Sequence, residues 1–342
     1  MSKGCASLFT KVLSAAILIL LSTVAVAQIS FVQVAAATPQ TAMTSVAVTY
    51  PAAQTAGNTN IVAVGWKNTT STVSAVTDSR GNSYVLAVGP TSGTGLRQSI
   101  YYAKNIAAGS NSVTVTFNTA APFADVRVLE YHGLDTATPL DKTAGAAGSG
   151  TSASSGSATT TVANELIFGA GVTSNAFTAA GSGFTSRIIT SPDKDIAEDK
   201  VVTSTGSNSA TGTVTSSNWV MQMATFKAKP PTVTAISPTS GTTAGGTAVT
   251  ITGTGFLTGA TVSLGGTAVT SVTVVSSTSM TATTAAHAAG AVNVVVTNTG
   301  GLSGTLTNGY TYAAPPTVTA ISPTSGTTAG GTAVTITGTG FL

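Results

Sequence analysis

Between Gln28 and Lys229 apolar and polar residues alternate in short runs: FVQVAA, TSVAVTY, NIVAVGW, VSAVTD, SYVLAV, QSIYYAK, SVTVTF, DVRVLEY, ELIFGAG, KVVTST and NWVMQMATF. A period of two sends successive side chains to opposite faces of a strand, so each run predicts one. No segment shows a convincing helical spacing. The set predicts a large all-β domain over 28–229, a jelly-roll-like sandwich. KTAGAAGSGTSASSGSATTT, Lys142 to Thr161, interrupts the pattern with small residues and is expected to be a long flexible loop.

Beyond Lys229 the runs are VTAISP, TAVTITGTGF, ATVSLGG, AVTSVTVV, SMTATT, AVNVVVTN and NGYTY. Seven short strands separated by Gly, Asn and Ser turns predict a small Greek-key sandwich over 230–314. Val249, Ile251, Val292, Val294 and Val296 are the expected inward residues, and Gly245-Gly246 and Gly265-Gly266 the turns. The phrase PPTVTAISPTSGTTAGGTAVTITGTGFL at 230–257 returns letter for letter at 315–342. Pro-Pro therefore marks two module borders, and the second copy supplies only the first two strands of a sandwich. It is expected not to form a stable domain alone, and to be a fragment of a longer array.

Pro238, Gly241, Gly245-Gly246-Thr247, Val249, Ile251, Gly253, Phe256, Tyr310 and Tyr312 resemble the IPT/TIG family of immunoglobulin-like domains across 230–313. The resemblance implies Ig-like β-sandwich repeats of the kind carried by extracellular receptors, bacterial surface proteins and polysaccharide-active enzymes. It implies no single activity. The N-terminal part loosely resembles jelly-roll or lectin-like domains of bacterial secreted surface proteins, and that likeness brings no defined ligand.

Charge sharpens the modular picture. Every acidic residue lies between Asp78 and Asp199, and residues 230–342 carry no Asp, Glu, Lys or Arg. The repeat thus lacks cations for phosphate and carboxylates for calcium, which leaves it a spacer. His287, in TTAAHAAG, is expected to be a solvent-exposed bystander. Residues 1–27 read as a signal peptide: Lys3 and Lys11, an apolar run from Val12 to Leu21, then Ala25-Val26-Ala27 before Gln28. Removing that leader lowers the formal charge from +3 to +1, with 11 basic against 10 acidic residues, so no nucleic-acid partner is indicated. It also removes Cys5, leaving no thiol chemistry, and no other stretch is a membrane span.

The candidate chemistry lies in the N-terminal domain. Trp66, Tyr101 and Tyr102 are candidate rings for stacking on a sugar, one tyrosine of the adjacent pair pointing outward. Asp78-Ser79-Arg80-Gly81-Asn82 reads as a hairpin turn, with Asp78 and Asn82 as alternative oxygen ligands for calcium or a sugar hydroxyl. Asp193, Asp195, Glu198 and Asp199 form the dense acidic cluster, read as a solvated loop with calcium as the one cofactor it offers ligands for. Glu130, Asp125, Asp135 and Glu165 are the carboxylates available for glycoside hydrolysis, with Glu130 and His132 on one strand face. No catalytic set is placed by motif, and no Ser, His and Asp grouping stands out.

These observations predict a secreted or cell-surface binding or adhesion protein. Its N-terminal sandwich would recognise a glycan or surface polymer, without enzymatic activity, and its repeats would act as spacers. The alternatives are an extracellular glycoside hydrolase with accessory Ig-like repeats and a purely structural stalk.

Overall fold

The computed structural model describes residues 29–341. The proposed signal peptide lies outside them. The chain is all-β, with no α-helix among the described residues.

The N-terminal domain runs through β1 (Ser30–Ala37), β2 (Met43–Thr49), β3 (Thr59–Trp66), β4 (Val73–Asp78), β5 (Val85–Gly93), β6 (Leu96–Ala103), β7 (Ser112–Ala121) and β8 (Asp125–His132). It continues through β9 (Leu140–Ser154), β10 (Ala158–Thr159), β11 (Glu165–Thr173), β12 (Phe177–Ala180), β13 (Thr185–Ile189), β14 (Ile196–Val202), β15 (Ser207–Asn208) and β16 (Thr211–Lys227). The central antiparallel sheet has the order β1-β8-β3-β6-β5. On one side lies a three-stranded sheet, β2-β7-β4, and on the other a larger sheet built on β16, β11, β14 and β13, with β9 and β12 also paired to β16.

The sandwich is therefore three sheets deep, and alternation divides each central strand between two cores. Val62, Val64 and Trp66 of β3 join Val126 and Val128 of β8 against Val46, Val48, Val113, Val115 and Phe117. Ile61, Ala63, Leu129 and Tyr131 turn the opposite way, onto Leu166, Phe168, Ala170, Ala224 and Phe226. Every residue of β3 is buried in consequence, which is why NIVAVGW lacks the polar alternates of a half-exposed strand. A further core beyond the third sheet holds Ile167, Phe177, Val214, Met221 and Met223.

The flexible loop expected at Lys142–Thr161 is corrected by the structure. Most of it is strand β9, antiparallel to β16 from Leu140↔Phe226 to Ser154↔Thr211. Its small residues answer a steric demand. Gly148 lies opposite Trp219, and a Cβ there would fall 2.5 Å from the indole Cζ2; a Cβ on Gly145 would lie 2.6 Å from Thr91 Oγ1. The backbone ladder along β16 supplies the order that the side chains do not.

After Lys229 come β17 (Thr232–Ser237), β18 (Ser240–Thr242), β19 (Ala248–Thr254), β20 (Thr261–Leu264), β21 (Thr267–Ala268), β22 (Thr270–Ser276), β23 (Ser279–Thr283), β24 (Gly290–Thr297) and β25 (Ser303–Ala313). Sheets β17-β19-β23-β22 and β18-β25-β24-β20-β21 face each other over Val249, Ile251, Phe256, Val294, Val296, Tyr310 and Tyr312. The seven expected strands are present, joined by short β18 and β21; Gly245 and Gly246 take φ of 78° and 80° at the turn before β19. The repeated phrase forms a hairpin, β26 (Thr317–Ser322) with β27 (Thr335–Thr339), whose apolar residues face solvent.

The two domains touch. Asn164 donates to the Thr299 carbonyl (2.6 Å), and Leu302 packs on the N-terminal core that holds Ile29, Leu134 and Ala228.

Candidate ligand site

The Asp78 turn closes the loop between β4 and β5. Asp78 Oδ1 accepts from the Arg80 and Asn82 amides, both at 3.0 Å, while Oδ2 accepts from Asn82 Nδ2 (2.7 Å), Asn111 Nδ2 (2.8 Å) and Tyr84 Oη (3.0 Å). Partial burial pushes this carboxyl up, but the bonds from Asn111, Asn82 and Tyr84 outweigh it and hold its pKa below the ordinary value. Gly81 supplies the positive φ of the turn, 74°. Asn82 Oδ1 accepts from the Ala107 amide (2.9 Å). Behind the turn a buried amide chain continues: Asn111 donates to Gln54 (2.7 Å), Gln54 to Asn60 (2.6 Å) and Asn60 to Tyr84 (3.0 Å). The turn reading of Asp78 and Asn82 is what the geometry shows.

This network braces a surface cleft of ≈ 290 Å³ lined by Asn82, Ser83, Val85, Tyr102, Lys104 and Asn105. Val85 is 49% exposed at its edge. The arrangement offers amide and hydroxyl hydrogen-bonding groups, one ammonium and an apolar lip on a rigid support.

The expected aromatic platform is corrected. Trp66 is fully buried, edge-on to Phe117 with ring centroids 5.5 Å apart. Tyr101 and Tyr102 do point to opposite faces of β6, but both faces are covered. Tyr101 packs on the core beneath β2-β7-β4, and Tyr102 on Phe226 at 5.5 Å. Only the edge of Tyr102 reaches the cleft.

The acidic cluster is corrected too: its four carboxylates are buried, not solvated, and they disperse. Alternation along β14 sends Glu198 and Asp199 to opposite faces. Asp199 accepts from both Arg187 Nε (2.7 Å) and Nη2 (2.9 Å), and from Tyr131 Oη (2.6 Å). Glu198 accepts from the Gly181 amide (2.8 Å), and burial raises its pKa to about 7. Asp193 accepts from Gln40 (3.0 Å) and pairs with Lys67 (3.5 Å). Asp195 accepts from the Thr173 amide (2.9 Å). These donors do not converge, and among the described residues no group of three or more His, Cys, Asp or Glu is placed to hold a metal.

Of the carboxylates considered for hydrolysis, Glu130 is committed to Thr55 N (3.0 Å), Asn58 Nδ2 (2.6 Å) and Gln33 Nε2 (2.5 Å), and Asn58 also meets His132 (3.0 Å). Asp135 caps its own loop at the Ala137 amide (2.8 Å). Glu165 is buried, and burial first and the nearby charge of Asp141 second raise its pKa to about 7. Asp141 in turn binds Thr161 through N (2.7 Å) and Oγ1 (2.5 Å).

A polar seam between the central and third sheets escaped the sequence reading. Arg127, fully buried on β8, donates to the Gly171 carbonyl (2.9 Å), the Ile196 carbonyl and Gln98 Oε1 (3.0 Å). Gln222 Nε2 adds bonds to Gln98 O (2.9 Å) and Thr91 Oγ1 (2.8 Å). Its signal was an arginine two residues after an aspartate, alternating with valines, in DVRVLEY.

Two clefts flank the connector after β16. One, of ≈ 260 Å³, lies among Ile29, Asn164, Val201, Lys229, Leu257 and Leu302. The other, of ≈ 160 Å³, includes His132, Lys229 and Pro230.

The C-terminal architecture is that of an immunoglobulin-like module. Residues 231–313 and 316–342 match the IPT/TIG domain family, so the sandwich after the connector is an IPT/TIG domain and the final hairpin opens a second copy. No curated protein matches the chain. Among solved structures, the full extracellular region of Plexin A4, domains 1 to 10, aligns with a TM-score of 0.24 and 10% identity, over 82% of this chain and 28% of that one.

Proposed function

We propose that the protein is an exported or cell-surface binding protein. In this reading the N-terminal sandwich takes a glycan or another surface polymer in the cleft beside the Asp78 turn, and the IPT/TIG module holds it at a distance. The observation that carries this reading is the cleft's rigidity. Asn82 is fixed through Asp78 and Ala107, so a ligand would meet preorganised polar groups rather than order them on binding. The uncharged module beyond Lys229 supports the spacer role. No helix among the described residues is long and apolar enough to cross a membrane.

A hydrolase reading would fall to Glu165 as a protonated acid. Asp141, the carboxylate whose charge it feels, is already taken up by Thr161 N and Oγ1. The test is a glycan array probed with the full mature chain and with Lys104→Ala and Val85→Ser. Saturable binding weakened tenfold or more in the variants is expected. Equal binding by variant and parent, or no binding to any polymer, contradicts the reading, and release of reducing ends that is lost in Glu165→Gln would favour the hydrolase.

A further inference from the structure

Among the side chains lining the cleft beside the Asp78 turn, Lys104 alone carries a charge, and no carboxylate faces it there. Lys104 is exposed and joins no ion pair among the described residues. Its Nζ donates to the Ala137 carbonyl, which anchors the ammonium at the cleft wall and leaves two of its three protons for a ligand. Asp135, in the same loop as Ala137, is occupied by that loop: Oδ1 accepts from the Ala137 amide (2.8 Å) and Oδ2 from the Thr138 hydroxyl (3.3 Å).

The carboxylate behind the cleft is answered as well. Asp78 accepts from the Arg80 and Asn82 amides, Asn82 Nδ2, Asn111 Nδ2 and Tyr84 Oη, so its charge is already matched by donors on its own side. Asn82 spends both ends of its side-chain amide, on Asp78 and on the Ala107 backbone. Ser83 and Asn105, both exposed, are the neutral polar side chains that remain at the rim. The volume of ≈ 290 Å³ is about ten waters at ~30 Å³ each, which suits one ring of a polymer rather than a folded partner. An ammonium held on a rigid wall with no facing acid selects a ligand that brings the anion itself.

We propose that the ligand of this cleft is an acidic polysaccharide, one ring of which sets a carboxylate or sulfate oxygen against Lys104 while its hydroxyls meet Ser83 and Asn105. This rests on the reading of the cleft as a polymer site and adds the chemical class. The test compares binding of the full chain to a uronic-acid polymer and to dextran sulfate with binding to the carboxyl-reduced and unsulfated forms of each. At least one charged polymer should bind tenfold or more tighter than its neutral counterpart, and which one does so separates carboxylate from sulfate. Lys104→Gln, which keeps an amide donor without the charge, should abolish that preference. A single contacting cation also predicts a shallow salt dependence, about a threefold loss of affinity between about 50 and 200 mM salt, unlike adsorption of a polyanion over many cations. Equal or better affinity for the neutral polymers overturns the acid preference and leaves the polymer-site reading standing; no binding to any polymer overturns both. A preference that survives in Lys104→Gln puts the anion elsewhere on the chain and overturns its placement at this cleft.

Discussion

Arg127 and Asp125 sit two residues apart on one face of β8, with Nε and Oδ1 2.8 Å apart and both side chains wholly buried. The pair is close but poorly aligned for a hydrogen bond, and Arg127 spends Nη1 on two carbonyls of the third sheet and Nη2 on Gln98 of the central one. It joins two layers that hydrophobic packing alone would let slide. Burial raises the pKa of Asp125 and of nearby Asp195, with Arg127 opposing the shift in both. Arg127→Met would leave the Asp125 carboxylate, Gln98 Oε1 and two carbonyls without their partner. A loss of about 3–5 kcal/mol is expected, read as a lower urea midpoint. Arg127→Lys should not restore it, because one ammonium cannot span the Gly171, Ile196 and Gln98 acceptors together.

Glu198 makes stability depend on pH with a sign opposite to that of most carboxylates. Its folded pKa of about 7 lies above the ordinary 4.5, chiefly through burial. Between those values the native state holds a proton that the unfolded chain has released, so stability falls as pH rises from 4.5 to 7 and then levels. The loss is on the order of 3 kcal/mol at 1.4 kcal/mol per unit. Glu198→Gln, which keeps an acceptor for the Gly181 amide, should remove its share of this slope in chemical denaturation at stepped pH, and the double variant with Glu165→Gln should flatten it, since Glu165 titrates over the same range. Asp78, held low, acts the other way and withdraws its contribution only in more acid solution, as pH falls through its folded pKa.

Gly148→Val should displace Trp219, whose indole occupies the space a Cβ would need. About 1–3 kcal/mol of destabilisation and a shift in tryptophan emission are expected. Ser149→Ala, on the exposed neighbour, should be neutral within about 0.5 kcal/mol.

The two copies of one phrase permit a comparison at constant sequence. Ile251 is fully buried and Ile336 is 51% exposed. Ile251→Ala should cost about 2–5 kcal/mol, and Ile336→Ala close to nothing in the same thermal or urea assay.

The IPT/TIG domain was legible because its alternation is clean. Val249 and Ile251 lie inside a two-sheet sandwich with one face in water, which is the situation that writes a period of two into sequence. The N-terminal domain was less so, for three physical reasons. A central sheet covered on both faces buries Trp66 and Tyr102 and half-buries Tyr101, so an aromatic on an apolar strand says nothing about exposure. Strand β9 earns its order from pairing with β16, and Gly145 and Gly148 are small because Thr91 and Trp219 stand over them; in isolation that composition resembles a linker. Asp193 and Asp199 are partnered by Gln40, Lys67 and Tyr131, distant in sequence, and by Arg187 on the neighbouring strand, so local lysines were misleading. The Asp78 turn was readable because its partners, Arg80 and Asn82, are local.

Recognition by the N-terminal sandwich is the central claim, and hydrogen–deuterium exchange with the strongest polymer from the array tests it most directly. Protection confined to Gly81–Leu86 and Tyr102–Asn105, absent in Lys104→Ala, is the predicted result. Protection of the IPT/TIG strands with no change around the Asp78 turn would contradict the account.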